Sequence, residues 1–311
     1  TNVILMPRSN RLEIEVGGLK LRNPTMLASG ILGLTSDTLK EVAQAGAGAI
    51  VTKSIGLRPR RGYRNPTVVQ VECGLINAMG MPNPGIHSFR EEINEARNLG
   101  IPLIVSIYGF SAEGYAEAAS VAVSAGADAV ELNLSCPHVA RTGVEIGQDS
   151  AKAAEIVKNV RKSVDKPLFV KLSPNVSDIP EIAEAVADAG ADAITAINTV
   201  RAMAIDVETT RPILANKVGG LSGAAVKPVA LRCVYEIYEA VGAPIIGCGG
   251  ISTWQDAVEF MLAGASSVQI GTAIAYKGLS VFKSITEGIE SYLERKGYGH
   301  VKDIVGLSHR S

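Results

Sequence analysis

The chain has 311 residues, of which 47% are hydrophobic, and this is enough apolar material for a large core without disulfide or metal support. Lys and Arg number 30, Asp and Glu number 31, and the net charge of −1 offers no electrostatic basis for binding nucleic acid or an anionic membrane. The four cysteines lack the Cys-x-x-Cys spacing of zinc and iron–sulfur sites. Pro7 interrupts the first residues too early for a signal peptide, so we expect a cytoplasmic protein with neither a metal site nor a membrane span.

Along the chain, an Ala-Gly phrase recurs four times between an amphipathic run and a run of β-branched residues. Its glycines are Gly46, Gly126, Gly190 and Gly264. A glycine at the end of a helix can take a positive φ at no steric cost, so each copy predicts a short helix-to-strand connection. The repeat therefore predicts alternating strands and helices around a parallel sheet.

Eight apolar runs are predicted to be strands, at residues 25–28, 49–53, 103–107, 129–133, 168–172, 193–198, 244–247 and 267–270. Amphipathic runs after them predict helices, for example at residues 111–124, 150–164, 179–189, 253–263 and 279–296. Eight such units predict an α/β fold of the (β/α)8 type, the TIM barrel. Residues 12–22 alternate around two glycines and predict an N-terminal β-hairpin that closes the bottom of the barrel.

Three long segments leave predicted strand ends, at residues 56–87, 137–148 and 200–225. Long irregular loops in compact domains are usually functional. Because all three leave the C-terminal ends of strands, we expect them to gather over one face of the barrel. No linker composition divides the chain, and residues 1–311 are predicted to form a single domain.

Polar residues stand at the predicted C-terminal strand ends, which is where (β/α)8 barrels carry their chemistry. They are Ser29, Lys53, Ser54, Ser106, Asn133, Lys171, Asn198 and Thr199. A buried lysine costs several kcal/mol unless it is paired, so two such lysines are difficult to explain as packing residues. Gly249-Gly250 and Gly271-Thr272 follow the seventh and eighth strands, where barrels commonly bind phosphate through backbone amides. The set predicts a site for a phosphorylated cofactor, without the carboxylate pair of glycoside hydrolases.

Cys136 follows the fourth strand, and Pro137 prevents that strand from continuing because proline has no N–H for a ladder. The thiol is therefore predicted to lie on a loop at the C-terminal end of the barrel. A thiol with a reference pKa of about 8.5 can act as a nucleophile or as a base near neutral pH. A single cysteine is more often a packing residue, and the polar residues around it favour the catalytic role.

Several segments spread over nearly the whole chain jointly resemble class 1 dihydroorotate dehydrogenases, the FMN-dependent barrel enzymes of pyrimidine biosynthesis. The segments are Ala28-Ser29-Gly30, Thr52-Lys53-Ser54, Asn77-Ala78-Met79-Gly80-Met81-Pro82-Asn83, Asn133-Leu134-Ser135-Cys136-Pro137, Val170-Lys171-Leu172-Ser173-Pro174, Asn198-Thr199, Gly219-Gly220-Leu221-Ser222-Gly223, Gly249-Gly250 and Gly271-Thr272. Class 2 members carry Ser in place of Cys136 and an N-terminal membrane extension. Residues 62–67, 219–223 and 227–230 resemble the B subclass, which pairs with a subunit that carries FAD and a [2Fe–2S] cluster and passes electrons to NAD.

The resemblance implies a substrate, dihydroorotate, that must lose a proton from C5 and a hydride from C6 to become orotate. Cys136 would remove the proton, FMN would take the hydride, and Lys171 would lie near the flavin edge where negative charge develops. The implied substrate-binding residues are Lys53, Asn77, Met79, Gly80, Met81, Asn133, Asn198 and Thr199. The implied FMN-binding residues are Ser29, Lys53, Ser54, Ser106, Asn133, Lys171, Ile197, Gly223, Gly249, Gly250, Gly271 and Thr272.

The same resemblance implies a homodimer of this chain that associates with the electron-transfer subunit, so that FAD and the [2Fe–2S] cluster belong only to the partner. The chain departs from many relatives at His138, where they have an Asn that contacts the substrate. A histidine can donate one similar hydrogen bond, but it also titrates near neutral pH. The departure affects the geometry of that contact and leaves the reaction class unchanged.

Three other functions are compatible with parts of the pattern. One is another FMN barrel oxidoreductase of the dihydropyrimidine or dihydrouridine type, although the tRNA-binding dihydrouridine type should show a basic surface. Another is a phosphate-binding barrel isomerase without a flavin, which a colourless purified protein would indicate. The third is a non-catalytic barrel that serves as a binding subunit, and the intact set of strand-end residues argues against it.

Overall fold

The computed structural model describes residues 11–134 and 146–310. Within these ranges the strands are β1 (Ile14–Val16), β2 (Leu19–Leu21), β3 (Thr25–Leu27), β4 (Ala49–Val51), β5 (Val68–Val71), β6 (Gly74–Asn77), β7 (Leu103–Ile107), β8 (Ala129–Asn133), β9 (Leu168–Leu172), β10 (Ala193–Ala196), β11 (Val200–Met203), β12 (Ile205–Asp206), β13 (Arg211–Pro212), β14 (Val218–Ser222), β15 (Ile245–Cys248) and β16 (Ala265–Ile270). The α-helices are α1 (Ser36–Gln44), α2 (Ile86–Ala96), α3 (Ala112–Ala125), α4 (Ser150–Ser163), α5 (Ile179–Asp188), α6 (Lys227–Ala240), α7 (Trp254–Leu262), α8 (Ala273–Lys277) and α9 (Ser280–Lys296).

Eight of these strands form a closed barrel in the order β3-β4-β7-β8-β9-β10-β15-β16. Every neighbouring pair is parallel, and β16 pairs with β3 to close the ring. The predicted strands 103–107, 129–133 and 168–172 have the bounds of β7, β8 and β9, and the others differ from observation by one or two residues at an end. The predicted (β/α)8 barrel is therefore confirmed.

Local sequence signals account for the helix ends. The N-terminal caps Thr35, Ser111, Asp149, Asp178 and Thr253 each accept a hydrogen bond from a backbone N–H in the first turn. At the other end, the four glycines of the repeated Ala-Gly phrase have φ angles of 102°, 113°, 109° and 117°. Only glycine adopts this conformation without a steric penalty, and the predicted role of the repeat is confirmed.

The antiparallel hairpin β1–β2 closes the N-terminal end of the barrel, as predicted. Its buried side chains Val16, Leu19 and Leu21 form one apolar cluster with residues from the barrel strands, namely Met26, Ala49, Val51, Ile104, Ala129, Phe169, Ala193 and Ile246. The turn approaches the barrel so closely that a Cβ at Gly17 would lie 2.7 Å from the Phe169 ring. This cluster, which we call the bottom plug, excludes water from that end of the barrel.

Two of the three predicted loops are more ordered than the sequence suggested. Strands β5 and β6 follow β4, strands β11 and β14 follow β10, and together they form a four-stranded antiparallel sheet in the order β11-β14-β6-β5. The prediction of irregular loops is wrong for these two segments. Their backbones pair with each other although they are far apart in sequence, as Asn77 on β6 and Gly220 on β14 show. The sheet lies over the C-terminal end of the barrel, and we call it the cover sheet.

The third predicted loop, 137–148, falls mostly outside the described residues. In the described part of the chain, no helix is both long enough and apolar enough to cross a membrane.

Candidate active site

Five of the predicted strand-end side chains form one hydrogen-bonded chain across the C-terminal end of the barrel. The Ser54 hydroxyl lies 3.2 Å from the Ser29 hydroxyl and 2.9 Å from the Ser106 hydroxyl. Asn133 donates from Nδ2 to Ser54 Oγ at 3.0 Å, and Asn198 donates from Nδ2 to Asn133 Oδ1 at 3.1 Å. The predicted convergence is thus observed for β3, β4, β7, β8 and β10, and we call these side chains the polar chain.

The two lysines of the site differ in their surroundings. Lys171 is almost completely buried and donates from Nζ to Gln269 Oε1 at 2.8 Å and to Cys248 Sγ at 3.5 Å. Lys53 is half-buried, and among the described residues its ammonium has no hydrogen bond or ion pair. Burial lowers the pKa of Lys53, because no charge compensates for the lost water. Lys53 is therefore a cation that can receive an anionic ligand.

A backbone cradle lies at the ends of β15 and β16. Within the part of the chain that the structure describes, the amide groups of residues 249, 250, 271 and 272 donate no hydrogen bond. Gly250 has a φ of 76°, and a Cβ there would lie 2.9 Å from the carbonyl oxygen of Gly223. Thr272 donates from Oγ1 to Ser222 Oγ at 2.8 Å, which joins this cradle to the cover sheet. Free amides around Gly249 and Gly250, where a Cβ would collide with neighbouring atoms, fit a phosphate group.

The loop beyond the cradle is held by a buried carboxylate. Asp256 accepts hydrogen bonds from the amides of Ser252 and Thr253, both at 2.9 Å, and from Lys227 Nζ at 2.8 Å. These donors outweigh burial and lower the pKa of Asp256 to about 2. Ile197, another predicted cofactor residue, is buried beside the cradle and donates its N–H to the carbonyl of residue 248 at 2.8 Å.

The predicted segment 77–81 begins at Asn77, the last residue of β6 in the cover sheet. Asn77 donates from Nδ2 to the carbonyl oxygen of Gly220 at 3.3 Å, and a Cβ at Gly220 would collide with the Thr199 side chain. Gly80 has a φ of 71°, and its carbonyl oxygen accepts from Arg60 Nε at 2.7 Å. Met79 is 36% exposed. The sheet thus fixes the Asn77 amide, and Met79 beyond it is partly open to solvent.

Comparison with known proteins now identifies the family. The model of the family described as dihydroorotate dehydrogenase matches residues 11–293. The chain belongs to the dihydroorotate dehydrogenase family. It is similar to proteins named "Dihydroorotate dehydrogenase B (NAD(+)), catalytic subunit" from Pyrococcus abyssi, with 53% identity over 96% of this chain and 99% of that one, and from Pyrococcus furiosus, with 53% identity over the same shares. The protein of that name from Methanocella arvoryzae is 50% identical over 96% of this chain and 98% of its own length.

For a member of this family, the observed residues fit an FMN cofactor. The amide cradle suits the phosphate, because its backbone N–H groups have no acceptor among the described residues and remain available to an anion. The hydroxyls and amides of the polar chain suit the polar atoms of the ribityl chain and the ring. The unpaired Lys53 and the charged Lys171 suit the anionic parts of the cofactor and substrate.

Sequence reasoning missed a buried carboxylate beneath the site of this dehydrogenase. Glu131 on β8 is completely buried, and its Oε2 accepts from Gln269 Nε2 at 2.6 Å and from Thr195 Oγ1 at 2.9 Å. Burial by itself lowers the pKa of the Lys171 ammonium, but Cys248 and the Glu131 carboxylate more than offset it, and the pKa lies above its ordinary value. The sequence did contain a signal for it. Residues 129, 131 and 133 share one face of the strand, and Glu131 is the one charged residue on that face.

Two asparagines that sequence reasoning did not assign hold the loops of the site. Asn83 Oδ1 accepts from the amides of Gly56 and Gly85, at 3.2 Å and 2.9 Å, and its Nδ2 donates to Tyr108 Oη at 2.8 Å. Asn175 Nδ2 donates to the carbonyl oxygen of Thr199 at 3.1 Å. Asn175 follows the end of β9, so the rule that found the polar chain could also have found it.

Cys136, the predicted base, and His138, the departure from the family pattern, lie outside the described residues. Asn133, three residues before Cys136, is the last residue of β8 and a member of the polar chain. The role of Cys136 therefore stays a prediction.

Proposed function

We propose that this chain is the catalytic subunit of a B-type dihydroorotate dehydrogenase, which oxidises (S)-dihydroorotate to orotate in the synthesis of UMP. One observation carries the proposal. The polar chain, the two lysines and the amide cradle meet at one end of the barrel in a chain that aligns over 96% of its length with catalytic subunits of that name. Residues 1–311 then act as one FMN-binding domain in the cytoplasm.

The proposed FMN site combines the cradle with the polar chain. Gly249, Gly250, Gly271 and Thr272 would hold the phosphate through their amides, which is supported by N–H groups that are free within the described residues. Gly223, whose carbonyl oxygen lies against Gly250, would complete this part of the site. The remaining contacts come from Ser29, Lys53, Ser54, Ser106, Asn133, Lys171 and Ile197. Bound FMN supplies a two-electron acceptor for the hydride that leaves C6 of the substrate.

The proposed substrate site uses amides and one cation. Dihydroorotate has a ring with alternating N–H and C=O groups, and asparagine amides match this pattern because each offers both a donor and an acceptor. The assignment of Asn133 and Asn198 is supported by the hydrogen bond between their side chains, and that of Asn77 by its contact with Gly220 in the cover sheet. Lys53 is suited to the carboxylate because it has no partner among the described residues. Met79, Gly80, Met81 and Thr199 complete the proposed site.

The proposed chemistry breaks two C–H bonds and forms the C5=C6 double bond. The thiolate of Cys136 would take the proton from C5, and bound FMN would supply the acceptor for the hydride of C6. The ammonium of Lys171 would stabilise the negative charge that develops on that acceptor. Asn133 and Asn198 hold the ring, since their side chains are fixed to each other at 3.1 Å.

The proposed partner follows from the names of the relatives, which contain "NAD(+)" and "catalytic subunit". We infer that a second subunit carries FAD and a [2Fe–2S] cluster and transfers the electrons to NAD, and that two copies of this chain form the core of the complex. The isolated chain should therefore reduce NAD poorly.

The decisive experiment is an anaerobic titration of the purified, FMN-loaded chain with (S)-dihydroorotate. We expect one equivalent to bleach the flavin absorption, whereas NAD alone should reoxidise it slowly. Dihydrouracil is the matched control, because it shares the ring and lacks the carboxylate, and we expect no bleaching. A protein that binds no FMN, or that dihydrouracil bleaches and dihydroorotate does not, would contradict the proposal and favour the dihydropyrimidine type in the second case.

A further inference from the structure

The proposed function assigns no role to the buried carboxylate of Glu131. Glu131 is completely buried in the barrel, and the partners of its Oε2 are the neutral groups Thr195 and Gln269, at 2.9 Å and 2.6 Å. Its Oε1 has no hydrogen-bond partner among the described residues. A buried carboxylate is costly unless a positive charge compensates for it, so the structure raises the question of which cation does so.

Gln269 connects Glu131 to that cation. Gln269 Oε1 accepts from Lys171 Nζ at 2.8 Å while its Nε2 donates to Glu131. In the ring of strands β16 lies opposite β8, so the amide reaches across the barrel interior. Only this orientation of the amide presents an oxygen to the ammonium and an N–H to the carboxylate. Carboxylate, amide and ammonium therefore form one directed chain.

The other groups that face Lys171 do not supply the negative charge. Cys248 on β15 lies 3.5 Å away and raises the pKa of Lys171 by charge only when it is a thiolate. Burial raises the pKa of that thiol above its ordinary value, so Cys248 is neutral near pH 7. Gln269 on β16 is uncharged, as is Thr195 on β10, and the second lysine of the site, Lys53, has no described contact with Lys171. Within the described ranges, Glu131 is the carboxylate that acts on Lys171.

We propose that Glu131 is a positioning residue, which acts through Gln269 to keep Lys171 charged and fixed at the C-terminal end of the barrel where FMN would bind. This inference rests on the proposed function, because it needs a flavin beside Lys171. The physical reason is the cost of burial. A lysine that loses both water and its counter-charge releases its proton, and buried lysines with pKa values of about 5–6 are known.

The substitution Glu131→Gln tests this because it removes the charge and keeps the shape. The measurement is the midpoint potential of bound FMN from about pH 6 to pH 9. In the variant, reduction of FMN should draw a proton onto Lys171 within this range. Each pH unit should then change the reduction equilibrium by an additional tenfold relative to the parent, which is about 30 mV for a two-electron couple. The parent should show no such additional step.

Three further variants separate the proposal from a merely structural role. Cys248→Ala removes the other neighbour of Lys171, and its profile should follow the parent if Glu131 is the counter-charge. The double variant Glu131→Gln/Lys171→Met should lack the step, because the titrating group is gone. Glu131→Asp retains the charge, and we expect it to suppress the step at least in part.

The outcomes are distinguishable from a failure of the proposed function. If the parent binds no FMN, or dihydroorotate does not reduce it, the proposed function fails before any variant is made. If the parent is competent and Glu131→Gln runs parallel to it at every pH, the present inference is overturned. If Glu131→Gln does not fold, Gln269→Leu separates the same two charges, and a parent-like profile in that variant would overturn the inference equally.

Discussion

The two ends of the barrel are built from the same strands and have opposite character. On β9, Phe169 belongs to the bottom plug, whereas Lys171, two residues later, belongs to the site. On β8 the same change occurs between Ala129 and Glu131. Because residues two apart share a face of a strand, the barrel interior changes from apolar to polar within about 7 Å.

The contrast between the two ends shows how one fold separates stability from chemistry. The hairpin and the bottom plug remove apolar side chains from water, which stabilises the barrel at an end where nothing needs to bind. At the other end, buried polar groups are destabilising unless each has a partner. The polar chain, the Lys171–Gln269–Glu131 chain and the Asp256 contacts provide those partners.

The largest expected effect is on the chemistry at the C-terminal end. Cys136→Ser replaces the proposed base by a hydroxyl with a far higher pKa. Reduction of FMN by dihydroorotate should slow by about 10²–10⁴-fold, the usual contribution of a positioned base, and the residual rate should rise toward high pH. Stopped-flow absorption measures it. The exposed Cys73 offers the matched control Cys73→Ser, which should react at the parent rate. A parent rate in Cys136→Ala would exclude the thiol as the base and direct attention to His138.

The second effect concerns the opposite end. Phe169→Ala empties part of the bottom plug, where the side chain is completely buried, and should lower the free energy of unfolding by about 3–5 kcal/mol. Urea unfolding followed by circular dichroism measures it. The folded fraction should still reduce FMN at the parent rate, because Phe169 lies beneath the site and not in it. A loss of rate in fully folded protein would mean that the two ends are not separable.

The third effect concerns Lys171, which lies on β9 two residues after Phe169. Lys171→Ala removes the cation that stabilises charge on the cofactor, so it should slow FMN reduction by about 10²–10³-fold and lower the midpoint potential. Lys152→Ala is the control, since Lys152 is 60% exposed and forms a surface pair with Asp149. An unchanged rate and potential in Lys171→Ala would show that this lysine is only structural.

The smallest effect is the stability that Asp256 contributes to the cradle loop. Its pKa in the folded protein is about 2, below the ordinary value of 3.8, so the contribution is present above pH 4 and is lost as the pH falls toward 2. This difference in pKa corresponds to about 2 kcal/mol of stability. Little of it is lost to screening by water, because the Asp256 side chain is only 12% exposed. Urea unfolding at pH 7 and pH 3 should therefore show a smaller pH dependence in Asp256→Asn than in the parent.

Glu236→Gln provides the comparison for that prediction. Its carboxylate pairs with Arg232 on the surface of α6, and both side chains are exposed. Such pairs contribute about 0–1 kcal/mol, so this variant should unfold as the parent does at both pH values. Equal effects of the two variants would contradict the special role of Asp256.

Much of the site could be predicted because the rule behind it is local. The C-terminal ends of parallel strands meet at one edge, so Ser54, Asn133 and Asn198 could be grouped without any distance. Glu131 and Gln269 could not be paired in this way. Each stands inside an apolar strand, and their hydrogen bond spans 138 positions of sequence and the full width of the barrel.

The barrel, its hairpin and the family could be predicted from the sequence, because periodicity, terminal glycines and short motifs act over a few residues or are compared position by position. The remaining features come from the tertiary fold. It joined two predicted loops into the cover sheet, since neither segment can satisfy its backbone hydrogen bonds alone. It also placed Glu131 opposite Gln269 and so gave Lys171 a counter-charge, because which buried groups face each other depends on the closure of the barrel.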